Sequence, residues 1–148
     1  MHTALEVANW FLNYNDEKMY SDGADYISNL KLQKLLYYAQ GTFLAITDSP
    51  LFGDAIEAWM HGPVVPSVYH AYKSNGDHGI EPPENFNPDI FSNDETELLT
   101  EVYDEFGQYS AWKLRNMTHE ETPWKTTPQG NVISTSLIKD YFKEHYVE

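Results

Sequence analysis

The segment from Ile27 to Thr47, ISNLKLQKLLYYAQGTFLAIT, carries the most regular hydrophobic pattern in the chain. Its apolar residues recur with the i, i+3, i+4, i+7 spacing of one helix face: Leu32, Leu35, Leu36, Ala39, Phe43 and Ile46. Ser28 or Asn29 can cap the first turn of such a helix. Because Tyr37 and Tyr38 widen the apolar face, the pattern predicts a helix from Ser28 to Thr47 at the centre of the core.

A glycine and several polar residues interrupt the apolar pattern of this helix. Gly41 costs about 1 kcal/mol relative to alanine inside a helix, so we expect another helix to cross closely there. The polar residues lie on the flank of the apolar face: Lys31, Gln33, Lys34 and Gln40. Side chains on a flank can either hold the core together or contact a partner, and the pattern leaves both alternatives open.

Further helices are predicted on both sides of this segment. A capping pair formed by Thr3 and Glu6 begins a helix that extends to Asn13, and a second pair, Ser92 with Glu95, begins a longer one. The remaining predicted helices follow Ser110, follow Ser134 and occupy residues 66–74. Two polar segments that contain glycine, residues 15–25 and 118–130, are predicted to be loops.

The β structure predicted from the sequence is minimal. Apolar and polar residues alternate over residues 56–60, which is typical of a short strand, and Gly62-Pro63 is predicted to end it. A second short strand at residues 131–133 could lie beside it. The sequence therefore predicts a mainly α fold, a compact bundle of five to six helices with a minimal β element (α+β). Its length suits one domain spanning residues 1–148.

The composition is strongly acidic. The chain has 9 Lys+Arg against 23 Asp+Glu, a formal net charge of −14. Nucleic-acid phosphates and anionic lipids attract cationic surfaces, so we expect no autonomous nucleic-acid binding and no membrane docking. The N-terminal segment lacks the basic region of a signal peptide, which favours a cytoplasmic protein. The acidity either maintains solubility or attracts a basic protein partner.

The sequence offers little for catalysis. Without cysteine, the chain has no disulfides, no thiolate metal ligands and no thiol nucleophile. Its six histidines form no HxH or HExxH pair, and the GxSxG, GxxxxGK[ST] and GxGxxG motifs are absent. We therefore expect a protein that is not an enzyme and has neither a metal nor another cofactor.

Aromatic residues and prolines are concentrated at one predicted strand–turn–helix junction and in one later loop. The candidate partner-binding residues are Trp59, His61, Pro63, Val64, Pro66, Tyr69 and Trp124. Tryptophan and tyrosine are enriched in protein interfaces because they bury a large area with few rotatable bonds. The alternative is that both tryptophans fill the core and that the prolines only shape turns.

Two long strings in this chain resemble a known family. They are LKLQKLLYYAQ, from Leu30 to Gln40, and EAWMHGPVVPSVY, from Glu57 to Tyr69. YSAWKL, TH, PW and IS then follow in the family's order. Together these strings resemble the Panacea domain, the SocA-like antitoxin domain that is also found in phage-associated proteins of the GepA type.

The resemblance implies a mainly helical antitoxin of a type II toxin–antitoxin system. Such a protein neutralises a cognate protein toxin by direct protein–protein binding, and no catalytic residue or cofactor is implied. Two alternatives remain open. One is a proteolytic adaptor that delivers its toxin to an AAA+ protease, as one branch of the family does. The other is a phage or mobile-element accessory protein without an adjacent toxin.

Overall fold

The fold is mainly α with two small antiparallel β-sheets, as predicted. The computed structural model describes residues 1–22 and 25–147. Within them the helices are α1 (Ala4–Asp22), α2 (Asn29–Thr47), α3 (Pro66–Ala71), α4 (Asn93–Phe106), α5 (Ala111–His119), α6 (Thr122–Lys125) and α7 (Thr135–His145). The strands are β1 (Ile27–Ser28), β2 (Glu57–Trp59), β3 (Gly62–Val64) and β4 (Gly79–Ile80).

Helix α2 lies at the centre of the core, and α1, α3, α4, α5 and α7 pack around it. Ser28 caps it through a 3.2 Å hydrogen bond from the Lys31 backbone N–H. The close crossing predicted at Gly41 is present, because the Phe142 ring of α7 occupies the space that a Cβ at Gly41 would need. A larger residue at position 41 would therefore separate α2 from α7.

The predicted caps of the outer helices are also present. Ser92 and Glu95 form a reciprocal capping box at the start of α4, and Gly107 ends that helix. Ser110 and Ser134 accept the capping hydrogen bonds of α5 and α7. These contacts satisfy backbone N–H groups that a helix start leaves without partners.

Helix α1 extends beyond its predicted end at Asn13 and continues to Asp22. The predicted loop over residues 15–25 is therefore helical in its first part, while residues 23 and 24 lie outside the described residues. The extension is stabilised by Asn15, whose side chain donates to the Asp25 carbonyl and accepts from the Tyr103 hydroxyl. Both partners are distant in sequence or lie beyond the helix, so no local pattern reveals them.

Two other predicted boundaries were wrong. Gly62-Pro63 does not end the β structure but begins β3, which pairs antiparallel with β2. The predicted loop over residues 118–130 contains the one-turn helix α6, which has a proline in its first turn.

The suggested pairing of residues 131–133 with β2 is confirmed: the Ala58 N–H donates to the Asn131 carbonyl, and the Ile133 N–H donates to the Ile56 carbonyl.

Candidate functional site

The β2–β3 hairpin is held on α2 by the polar residues that the sequence left unassigned. The Gln33 side chain accepts a 2.9 Å hydrogen bond from the Val65 backbone N–H, and the Lys34 amine donates to the Pro63 carbonyl over 2.9 Å. Both side chains are buried. Backbone groups along the outer edge of β3 therefore form hydrogen bonds with side chains of α2 instead of with another strand. These bonds fix the position of the hairpin.

Gly62 allows the tip of the hairpin to lie directly on α2 and α5. Its φ of 109° is a backbone conformation that residues with a side chain rarely adopt. A Cβ at this position would also lie 2.8 Å from the Lys34 side chain and 2.8 Å from the Thr118 hydroxyl. The glycine is thus required by both conformation and space.

Beside this hairpin lies a cleft with a volume of about 570 Å³. The hairpin, the start of α2, the region from α3 to residue 77 and the start of α5 form its walls. Its apolar surface comes from Leu30, Trp59, Met60, Val64, Tyr69, Ala111 and Trp112. Met60 and Trp112 are 60% and 54% exposed, respectively. Large apolar side chains that remain exposed around a cleft are typical of a binding surface.

Trp59 is positioned from three sides. Its indole N–H donates to the Glu57 carboxylate over 2.9 Å, and its ring packs edge-on against Tyr69 with centroids 5.0 Å apart. Its carbonyl accepts a 2.7 Å hydrogen bond from the indole N–H of Trp124. The Trp59 ring is therefore a preorganised wall of the cleft.

Trp124 supports the hairpin without lining the cleft. Its ring stacks on His119 at a centroid distance of 3.9 Å. The Nε2 atom of His119 is buried and has no hydrogen-bond partner among the described residues. Burial, together with the positive charge of Arg115, lowers the pKa of His119, so its ring is neutral at neutral pH.

The exposed Trp112 ring, which lines the cleft from α5, lies against the side chain of Arg115, a residue just outside the lining. The Arg115 guanidinium lies 4.5 Å from the centre of the Trp112 ring, within the range of a cation–π contact. Its Nε–H donates to the Nδ1 atom of His61 over 3.3 Å. Arg115 therefore joins α5 to the turn of the hairpin at the edge of the cleft.

The structure brings four of the seven predicted partner-binding residues to this cleft: Trp59, His61, Val64 and Tyr69. Pro63 is a buried residue of β3, and Pro66 begins α3. Met60 and Trp112 also line the cleft but were not among the predicted partner-binding residues. Their neighbours in sequence gave no signal, because exposure of both side chains depends on packing between distant segments.

A second buried polar cluster lies about one turn further along α2. The Glu121 carboxylate accepts hydrogen bonds from the hydroxyls of Tyr37 and Tyr38, each 2.8 Å long, and from Tyr146. Burial raises the pKa of Glu121, whereas these hydrogen bonds act in the opposite direction. The cluster ties α2 to α6 and to the end of α7, so its role is structural.

Other site classes find little support in the described part of the chain. Among the side chains that the structure describes, no group of three or more His, Asp or Glu is arranged to hold a metal ion. Within residues 1–22 and 25–147, no helix is both long enough and apolar enough to cross a bilayer.

Two comparisons with known proteins point to the same family. The family model described as antitoxin SocA-like, Panacea domain, matches residues 32–125. Antitoxin SocA of Caulobacter vibrioides (strain NA1000 / CB15N) is 35% identical, and the match covers 79% of this chain and 72% of that protein. No solved structure matches the chain significantly. The matched region contains the hairpin, the buried Lys34, Glu121 with Tyr37 and Tyr38, and most of the cleft, and the chain belongs to the SocA-like Panacea family.

Proposed function

We propose that this protein is an antitoxin of a type II toxin–antitoxin system and neutralises a cognate protein toxin by direct binding. Membership of the SocA-like family and 35% identity to a protein named antitoxin SocA support this proposal. The neutralisation is stoichiometric, since the protein occupies its partner instead of converting it chemically.

The toxin binds at the cleft between the hairpin and the start of α5. The observation that carries this assignment is the exposure of Met60 and Trp112, 60% and 54%, at the same apolar cleft. Rigid aromatic side chains with neighbouring pockets are the groups that contribute most of the free energy in protein interfaces. Trp59 and Tyr69 add a preorganised wall, so little conformational entropy is lost there on binding.

The cleft is the centre of a larger contact. A stable protein interface buries about 1,600 Å² in total, which exceeds what a cleft of this size can supply alone. The surrounding surface contributes the remainder. Because the chain carries a net charge of −14, its field accelerates encounter with a basic toxin at low ionic strength.

Co-expression in a bacterial host tests this proposal. Each gene that flanks the gene for this protein is induced alone and then together with it, and growth is followed. We expect one neighbour to be toxic alone and silenced by the wild-type protein. The variants Met60→Asp and Trp112→Ala should lose protection while remaining folded.

The matched control is Ile46→Ala, which changes a side chain that is 48% exposed and lies outside the cleft. This variant should protect as well as the wild type. Full protection by folded Met60→Asp and Trp112→Ala variants would remove the cleft from the interface. Neutralisation at far less than one antitoxin per toxin would contradict stoichiometric binding.

A further inference from the structure

The edge of the cleft carries positive charge although the protein is strongly acidic. Arg115 has five N–H groups. Two of its nitrogen atoms donate hydrogen bonds within the described residues, Nε to His61 and Nη1 to the side chain of Asn116 over 3.0 Å. No carboxylate of the described residues lies within ion-pair distance of its guanidinium. Several N–H groups of Arg115 therefore remain available to an acceptor.

His61 adds a second donor at the same place. Its Nδ1 atom accepts the Arg115 hydrogen bond, so a neutral His61 ring carries its proton on Nε2. His61 is exposed and lines the cleft. The Nε2–H group is accordingly free to donate to a bound group.

The charged residues that line the cleft itself balance one another. Lys73 and Asp77 both line the cleft from the segment after α3, so their formal charges offset each other. Glu57 accepts the indole N–H of Trp59. The negative charge of Glu57 thus lies on the Trp59 side of the cleft, whereas Arg115 contacts the lining residues His61 and Trp112 and has no ion-pair partner within the described residues.

We propose that the cleft binds an acidic, aromatic segment of the protein partner. A large apolar side chain of that segment fills the space between Trp59, Met60 and Trp112, and a neighbouring carboxylate pairs with Arg115 and His61. Arginine is well suited to this role because its planar group can bind a carboxylate through two parallel hydrogen bonds. This inference rests on the proposed function and specifies the chemistry of the bound segment.

The arrangement also provides selectivity. The net charge of −14 repels an acidic segment from the protein as a whole, whereas Arg115 at the cleft edge attracts it. The acidic body and this edge therefore favour a toxin with a basic surface and one acidic aromatic segment. A basic segment placed in the cleft would leave the Arg115 charge opposed by a like charge.

Peptide binding tests the inference without any knowledge of the toxin. The full chain, labelled with ¹⁵N, is titrated with the unlabelled blocked pentapeptides DLWLD, KLWLK and DLALD. The indole N–H signals of Trp59 and Trp112 report on the cleft, and that of the core residue Trp10 serves as the internal control. We expect DLWLD to shift the two cleft signals saturably and to bind at least about tenfold more tightly than KLWLK, since charge-assisted hydrogen bonds are the stronger class. DLALD should bind more weakly than DLWLD.

Charge variants of the protein distinguish the effect of the local Arg115 contact on peptide preference from the effect of the net charge. Arg115→Gln and Arg115→Glu should remove the preference for DLWLD over KLWLK. Lys139→Gln and Lys139→Glu make the same changes in net charge on α7, away from the cleft, and should preserve that preference. Thermal unfolding of each variant confirms that it is folded.

Three results would overturn the inference: equal or tighter binding of KLWLK, an unchanged preference in folded Arg115 variants, or no shift of the Trp59 and Trp112 signals with any peptide. Each of these results leaves toxin neutralisation itself intact, because the co-expression experiment measures it independently.

Discussion

The side-chain nitrogen of Lys34 lies 2.9 Å from the carbonyl oxygen of Pro63 and is completely buried. This contact joins the central helix to the hairpin that forms one wall of the cleft. Burial, with a smaller effect from the Arg115 guanidinium, lowers the pKa of the Lys34 amine to about 7. The amine is therefore largely neutral above pH 7. A neutral buried amine needs no carboxylate partner, and its hydrogen bond to the Pro63 carbonyl is enough to satisfy it.

The lowered pKa of Lys34 predicts that the protein becomes more stable as the pH rises above 7. An unfolded lysine has a pKa of about 10.4, so the unfolded chain binds more protons than the folded chain between about pH 7 and 10. Each pKa unit corresponds to about 1.4 kcal/mol, and the free energy of unfolding should gain about 2 kcal/mol from Lys34 between pH 7 and 9. Urea unfolding at pH 7, 8 and 9 measures this gain.

Lys34→Met should remove most of that dependence on pH. The matched control is Lys125→Met, because Lys125 is exposed on α6 and should leave the dependence unchanged. If the free energy of unfolding rose equally with pH in the wild type and in Lys34→Met, Lys34 would keep its proton in the folded protein.

The Glu121 cluster predicts that two neighbouring glutamates, Glu121 and Glu120, contribute very differently to the free energy of unfolding. Glu121 accepts hydrogen bonds from three tyrosine hydroxyls, and a glutamine there offers only one acceptor oxygen. Glu121→Gln should therefore lower the free energy of unfolding by about 1–3 kcal/mol, the usual cost of an unsatisfied buried donor. Glu120→Gln, at an exposed position, should change it by less than about 0.5 kcal/mol. Equal stability of the two variants in urea unfolding would contradict a structural role for the cluster.

The contact between Gly41 and Phe142 predicts an exception to helix propensity. Alanine in place of a helical glycine normally stabilises by about 1 kcal/mol. At this position the Phe142 ring occupies the space of the new methyl group, so Gly41→Ala should destabilise by about 1–3 kcal/mol. Phe142→Leu in the same chain should recover part of the loss, as a double-mutant cycle would measure. A Gly41→Ala variant more stable than the wild type would disprove the close crossing.

The helices were predictable where their signals are local. Ser28, Ser92, Ser110 and Ser134 cap helices because their side chains reach backbone groups only a few residues away. The second half of α1 was not predictable in this way. Its stabilising residue Asn15 depends on a hydroxyl 88 residues distant in sequence.

The candidate site was predictable only in part for the same reason. Trp59, His61, Val64 and Tyr69 are close in sequence, so one hairpin and the helix that follows bring them together. Trp112 reaches the cleft from α5, and only the packing of α5 against the hairpin shows that its ring remains exposed. Gln33 and Lys34 of α2 were ambiguous because their hydrogen-bond partners belong to a segment about 30 residues away.

Binding of the toxin at the cleft is tested most directly by its affinity for this protein, once the co-expression experiment has identified the toxin. Isothermal titration calorimetry should measure that affinity for the wild type, Trp112→Ala and Ile46→Ala. Loss of an aromatic anchor typically costs about 2 kcal/mol or more, so Trp112→Ala should bind at least about 30-fold more weakly, while Ile46→Ala binds like the wild type. Wild-type affinity in a folded Trp112→Ala variant would show that the toxin binds elsewhere.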